Sequence, residues 1–148
     1  MNITRFTDYS LRVLIYLAAQ DESSVTIKEI AERYDISKNH LMKVVQELSA
    51  SGYVKATRGK NGGLRLNQDP AHINIGQLVR HIEQDSVLVE CLGNNNQCVI
   101  TPVCQLKHVF LEGLEAFFKT LDGYTLADLI GKQNKAEYQA FLQIVPNA

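Results

Sequence analysis

The sequence predicts a mainly α fold built around a winged helix-turn-helix. Three observations carry this. Two short amphipathic helical periods are joined by a tight turn, a glycine-rich basic hairpin follows them, and a long amphipathic helix lies near the C-terminus. The expected organisation is a winged helix-turn-helix over residues 1–84, a loop over 85–102, and a long helix with a tail over 103–148.

The elements follow in order. TDYSLRVLIYLAAQ, residues 7–20, starts at the cap candidate Thr7 and carries Leu11, Leu14, Ile15, Leu17 and Ala18 on a broad apolar face. A polar turn, Asp21-Glu22-Ser23-Ser24, precedes Thr26 and Glu29, a T-x-x-E capping box opening IKEIAERY with Ile27, Ile30, Ala31 and Tyr34 inward. Asp35-Ile36 makes the turn. Ser37 then caps KNHLMKVVQELSAS, whose Leu41, Val44, Val45 and Leu48 face inward until Gly52 stops it. YVKAT, RGKNGG and LRL read as strand, loop and strand, which is a wing. After Asp69-Pro70, Asn74 caps a helix reaching Gln84, with Ile75, Leu78, Val79 and Ile82 inward.

Thr101-Pro102 reads as a cap with proline in the first helical position, opening a helix through Val103, Leu106, Phe110, Leu114, Phe117 and Leu121. About 20 residues give roughly 30 Å. With Val109, Leu111 and Phe118, its stripe exceeds what one small neighbouring domain covers, so it reads as the dimerisation helix of a homodimer. The plain alternative is a helix folded onto its own domain. Gly123 ends it, and a short TLADLI helix and an amphipathic tail follow.

With 148 residues and 45% apolar composition the chain is long enough for one core plus an extension. No apolar run reaches 18 residues and the N-terminus lacks a signal-peptide layout, so a cytoplasmic protein with no membrane partner is expected. The net charge of -1 hides an asymmetry: residues 1–82 hold 11 Lys/Arg against 8 Asp/Glu, and 83–148 hold 4 against 8. From Leu48 to Gln68 no acid occurs, while Lys55, Arg58, Lys60 and Arg65 do.

That basic stretch points to double-stranded DNA. The N-terminal part of a recognition helix meets base edges, here Ser37, Lys38, Asn39, His40 and Lys43. Asn bonds adenine bidentately, Lys reaches guanine or phosphate, and Ser bonds either. Taken alone, those residues also fit a solvated helix face; the wing tips the balance. Arg58, Lys60 and Asn61 on a loop with Gly59, Gly62 and Gly63 can grip phosphates or enter a minor groove, the glycines allowing close backbone approach.

Three cysteines, Cys91, Cys98 and Cys104, fall within 14 residues as C-x6-C-x5-C. An odd count in a reducing compartment argues against a disulfide framework. The spacing is neither the C-x2-C of a zinc finger nor the tight repeat of a ferredoxin. Zinc, an iron–sulfur cluster and unligated thiols all stay open, and His108, His81, Glu90 or a residue from elsewhere could complete a four-ligand set. Cys104 is expected at the third position of the helix opened by Thr101, where the dipole favours a thiolate. Asp8 reads as a first-turn acid paired with Arg12 at i+4. No Ser-His-Asp or paired-carboxylate arrangement stands out, so no enzyme is expected.

FTDYSLRVLIYLA, SKNHLMKVVQELSASGYV, RGKNGGLRL, CVITPVCQLK and YTLADLI together resemble a family of winged-helix iron–sulfur repressors, across nearly the whole chain. The resemblance implies that Cys91, Cys98 and Cys104 bind an iron–sulfur cluster, 4Fe–4S with 2Fe–2S as the alternative. One branch of the family, responsive to cluster status, places a histidine three residues after the last cysteine. Here that position is Lys107, and His108 is one residue late. The nitric-oxide-sensitive branch resembles the chain more closely, and its fourth ligand is a first-helix aspartate from the other subunit, matched by Asp8. Asp8 would then exchange between cluster and Arg12. The function implied is a homodimeric repressor on a palindromic operator with half-sites about 34 Å apart, releasing DNA when nitric oxide nitrosylates the cluster. The alternatives are a cluster-status regulator and a zinc-stabilised DNA-binding protein.

Overall fold

The computed structural model describes residues 1–21 and 24–145; Glu22 and Ser23, within the turn expected there, lie outside them. Helix α1 spans Arg5–Ala19 and is capped by Thr4, whose hydroxyl accepts from the Thr7 N–H at 3.3 Å. The cap therefore sits three residues before the expected Thr7. Thr7 is buried, and its hydroxyl donates to Glu83 Oε1 at 2.6 Å. The same carboxylate oxygen accepts from the Thr4 N–H and the Thr4 hydroxyl, both at 2.8 Å. Burial pushes the Glu83 carboxyl up, but hydrogen bonds from Thr7, Ser86 and Thr4 outweigh it and hold the group below its ordinary range.

Helix α2 (Ile27–Tyr34) is capped by Thr26, which accepts from the Glu29 N–H at 3.1 Å. It ends on Asp35 in the left-handed region at φ 53°, a conformation a short polar side chain tolerates. The Ile36 N–H bonds back to Ala31 O, and this tight turn delivers helix α3 (Lys38–Ala50), capped by Ser37. Gly52, at φ 83°, reverses the chain into strand β1 (Val54–Thr57), which pairs antiparallel with β2 (Gly63–Leu66) in the register Val54 to Leu66. Val25 bridges Leu64 antiparallel and adds a single-residue third edge to the hairpin. The wing is thus present as expected.

Helix α4 (Ile75–Ile82) is capped by Asn74 and stops two residues before the expected Gln84. One core unites these elements: Val13, Leu14, Tyr16 and Leu17 of α1, Ile30 of α2, Leu41, Val44, Val45 and Leu48 of α3, Leu78 and Val79 of α4, and Val54 and Leu64 of the hairpin.

Helix α5 spans Leu106–Asp122, 17 residues or about 26 Å. Its C-terminal end is fastened to α4. Asp122 makes a two-pronged ion pair with Arg80, whose guanidinium lies 4.8 Å from the Phe118 ring centroid, and Asn74 Nδ2 donates to Asp122 O at 2.8 Å. The Arg80 bond holds the Asp122 carboxyl below its ordinary range. A Cβ on Gly76 would meet Asp122 Oδ1 at 1.9 Å and its backbone N at 2.8 Å, so this junction requires glycine.

Helix α6 (Leu126–Ile130) opens with a complete Thr125–Asp128 capping box. Helix α7 (Lys132–Phe141) returns to α1, where Gln139 Nε2 donates to Ala19 O at 2.9 Å and Lys135 pairs with Asp21 at 2.8 Å. Leu126, Leu142 and Ile144 enter the common core. The expected tail is therefore part of the helix-turn-helix body.

Candidate DNA interface and cysteine segment

On α3, Leu41, Val44, Val45 and Leu48 fill the core, leaving Lys38, Asn39, Met42, Lys43 and Gln46 exposed. The exposed face contains Lys38, Asn39 and Lys43 as expected, and Ser37 is exposed at the cap. His40 is half-buried, its ring edge-on to Tyr9 at 4.8 Å and tilted against Phe6 at 6.5 Å. Its ring seats α3 on α1. Met42 and Gln46 were missed by the sequence reading, though their i+3 and i+7 spacing from Asn39 places them on one face.

In the wing, Lys55, Arg58, Lys60, Asn61 and Arg65 are all exposed. Lys55 and Arg65 are direct cross-strand partners. Like charges opposite one another destabilise a ladder, so this pair suits an anionic partner better than bare solvent. None of Lys38, Lys43, Lys55, Arg58, Lys60 and Arg65 is ion-paired to a described residue. The glycines have a second duty. A Cβ on Gly62 would stand 2.2 Å from Thr57 O, so the turn closes only with glycine there.

The cysteine segment corrects one expectation. Thr101 does not open α5: its hydroxyl donates to Cys98 O at 2.8 Å and accepts from Asn96 Nδ2 at 2.8 Å. Bonds from Thr101 N to Cys98 O, Val103 N to Ile100 O and Cys104 N to Thr101 O form tight three-residue turns in place of a helix. Cys104 thus lies two residues before Leu106 and not at a third helical position. Cys91 falls in a single 3-10 turn, Glu90–Leu92. All three cysteines are free and half-buried.

Three unpaired thiols on one short segment are donor chemistry suited to a soft metal or an iron–sulfur group. Among the described residues, no three His, Cys, Asp or Glu side chains are grouped to hold a metal ion. The donor set fits in kind, though the described residues do not gather it into one group. Asp8 stands apart on α1, held bidentately by Arg12, with Nη2 to Oδ2 at 2.9 Å and Nε to Oδ1 at 3.2 Å. Arg12 lies 5.5 Å from the Tyr9 ring and 5.9 Å from Tyr34, whose hydroxyl donates to Arg12 O at 2.9 Å. Asp8, Arg12, Tyr9 and His40 thereby form a contiguous chain of contacts from α1 to the first turn of α3.

Residues 3–132 match the model of the Rrf2 family, described as iron-dependent transcriptional regulators. The chain belongs to the Rrf2 family. Among its Rrf2 relatives are two proteins called HTH-type transcriptional regulator NsrR. That of Bacillus licheniformis is 53% identical over 136 residues, covering 90% of this chain and 95% of its own. That of Bacillus subtilis is 53% identical over 146 residues, covering 97% and 99%. The solved structure of T. potens IscR superposes with a TM-score of 0.71 at 25% identity, covering 93% of this chain and 91% of its own. CymR, the global cysteine regulator of B. subtilis, superposes at 0.69 with 27% identity, covering 87% and 95%. The mainly helical winged fold expected from the sequence is the Rrf2 fold, and the chain is a transcriptional regulator of that family. No helix among the described residues is long and apolar enough to cross a membrane.

Proposed function

We propose that this Rrf2 regulator is a homodimeric repressor with an iron–sulfur cluster, binding an inverted-repeat operator and releasing it on exposure to nitric oxide. The observation that carries the reading is the three free, half-buried cysteines on the segment before a helix whose N-terminal half leaves Leu106, Val109 and Leu111 exposed. None of the α5 residues is buried, with Leu106 54% and Val109 60% exposed. The resemblance of the sequence to the nitric-oxide-sensitive branch supports nitric oxide as the signal.

Cys91, Cys98 and Cys104 would hold the cluster, with Asp8 of the other subunit as fourth ligand. When bound, the cluster supplies iron reactive toward nitric oxide. The chain's own residues do the rest. Lys38, Asn39 and Lys43, with Ser37 at the cap, face base edges, and Arg58, Lys60 and Arg65 grip phosphates. The exposed stripe of α5 joins the subunits and fixes the separation of their two α3 helices. Arg12 holds Asp8 in the single chain, so a carboxylate drawn away from it leaves the guanidinium to the Tyr9 and Tyr34 faces. Tyr9 touches His40, so the exchange reaches the start of the recognition helix.

Metal analysis of protein purified without oxygen tests the ligand set. Iron and acid-labile sulfide should accompany the full chain and fall to background in Cys91→Ala, Cys98→Ala and Cys104→Ala. Stoichiometric zinc without iron would replace the sensor with a zinc-stabilised DNA-binding protein.

A further inference from the structure

The face of α3 that points away from the core is not uniformly polar. Asn39, Met42, Lys43 and Gln46 are spaced i, i+3, i+4 and i+7, which places them in one stripe opposite Leu41, Val44, Val45 and Leu48. Met42 stands in the middle of that stripe and is 49% exposed. Among the described residues from Thr4 to Ser86 it is the one large apolar side chain left exposed. Elsewhere between Thr4 and Ser86 side chains of this kind are buried or half-buried, and the other exposed ones of the winged domain, Met1 and Ile3, precede its first helix. An apolar group kept in water beside Asn39 and Lys43 gains nothing for the isolated fold, and burying it against a partner would recover its transfer free energy.

DNA presents an apolar group at the matching place. In the major groove the C5-methyl of thymine marks a T·A pair, and apolar side chains read it by contact. An unbranched thioether with three rotatable bonds adapts to such a methyl better than a branched side chain. Asn39, one turn earlier, carries the amide that pairs bidentately with adenine N6 and N7. We propose that Met42 is a specificity-determining residue, reading a thymine methyl in each half-site, with Asn39 beside it favouring an A·T step. This rests on the DNA-binding reading above and adds base preference to it.

The test uses the full chain purified without oxygen. Bound duplexes are first selected from a random-sequence library, and each thymine of the selected site is then replaced by deoxyuridine, which removes only the C5-methyl. One thymine in each half-site should show binding weakened about fourfold, the worth of one buried methyl-sized group. Met42→Ala should bind the thymine duplex about fourfold more weakly and become indifferent to the replacement, while Met42→Leu restores part of the discrimination. Should Met42→Ala bind too weakly to measure, Met42→Gln, of similar length, takes its place. If no thymine is sensitive in the natural chain, or if sensitivity persists in the Ala or Gln variant, the methyl-reading assignment is overturned while DNA binding stands. If the natural chain enriches no duplex, the DNA-binding reading falls and this one with it.

Discussion

The helix-turn-helix body and the segment from residue 85 to the middle of α5 are built on opposite terms. In the first, each of α1, α2, α3 and α4 has a side-chain cap and, Met42 apart, packs its large apolar residues in or against one core. In the second, α5 begins at Leu106 behind Gln105, which makes no side-chain cap bond; the helix buries no residue, and Val103 before it and Leu106, Val109 and Leu111 on it are exposed. The contrast teaches where the molecule is complete. The body satisfies itself within one chain, whereas the cysteine segment and α5 carry unspent apolar surface and thiols, which are what a second subunit and a metal group would use.

The largest effect that sharpens this contrast comes from matched truncations. Leu48→Ala empties a fully enclosed site of the body and should cost about 2–5 kcal/mol in urea unfolding. Leu106→Ala together with Val109→Ala should leave the unfolding of the body within about 0.5 kcal/mol, yet shift the oligomer toward monomer in sedimentation. Equal destabilisation by both would erase the distinction.

Next in size is the joint between the two regions. Gly76→Ala forces a Cβ into Asp122, side chain and backbone alike, and should cost about 1–3 kcal/mol by thermal melting. Because the Arg80–Asp122 pair lies at the same place, α5 should also gain amide exchange in its last turns.

Smaller again is Glu83, which anchors the start of α1 to the end of α4. Glu83→Gln should cost about 1 kcal/mol at neutral pH, a modest figure because the group is only partly buried. Its folded-state carboxyl is depressed, so its contribution is present above the unfolded carboxylate value, near 4.3, and is lost as pH falls through the lower folded value. The difference between natural chain and variant should therefore shrink below about pH 4. A difference constant down to pH 2 would show that the carboxylate charge is not what Thr4 and Thr7 require.

The smallest stability effect belongs to Asp8→Asn. The half-exposed i,i+4 pair with Arg12 should cost only about 0.3–0.5 kcal/mol, while iron retention should drop severalfold. A variant that keeps its iron would remove Asp8 from the ligand set.

Much of the body was legible because its signals are local. Ser37 three residues before His40, the left-handed Asp35 and the Gly62 turn are each decided by neighbours within a few positions. The misplaced boundaries had distant or competing causes. Thr7 and Thr4 both suit a cap, and the choice goes to Thr4 because Glu83, 76 residues away from Thr7, takes the Thr7 hydroxyl. Thr101 looked like a helix start, but Cys98 O and Asn96 occupy its side chain and three-residue turns displace the first helical turn. The return of α7 depends on Gln139 meeting the last carbonyls of α1, a contact 120 residues apart that no local period reports. At the candidate interface the stripe is legible by spacing, but residue polarity does not tell that His40 is half-buried against Tyr9 or that Met42 is exposed, since both depend on packing against α1.

In the proposed function the cysteine segment controls the grip of the winged domain. Binding of oxygen-free protein to its selected inverted repeat, followed while nitric oxide is titrated in, tests it most directly. Tight binding that is lost with a few equivalents of nitric oxide, by at least tenfold in Kd, is the predicted result. Binding that is unchanged by nitric oxide in a protein carrying its full iron would contradict it.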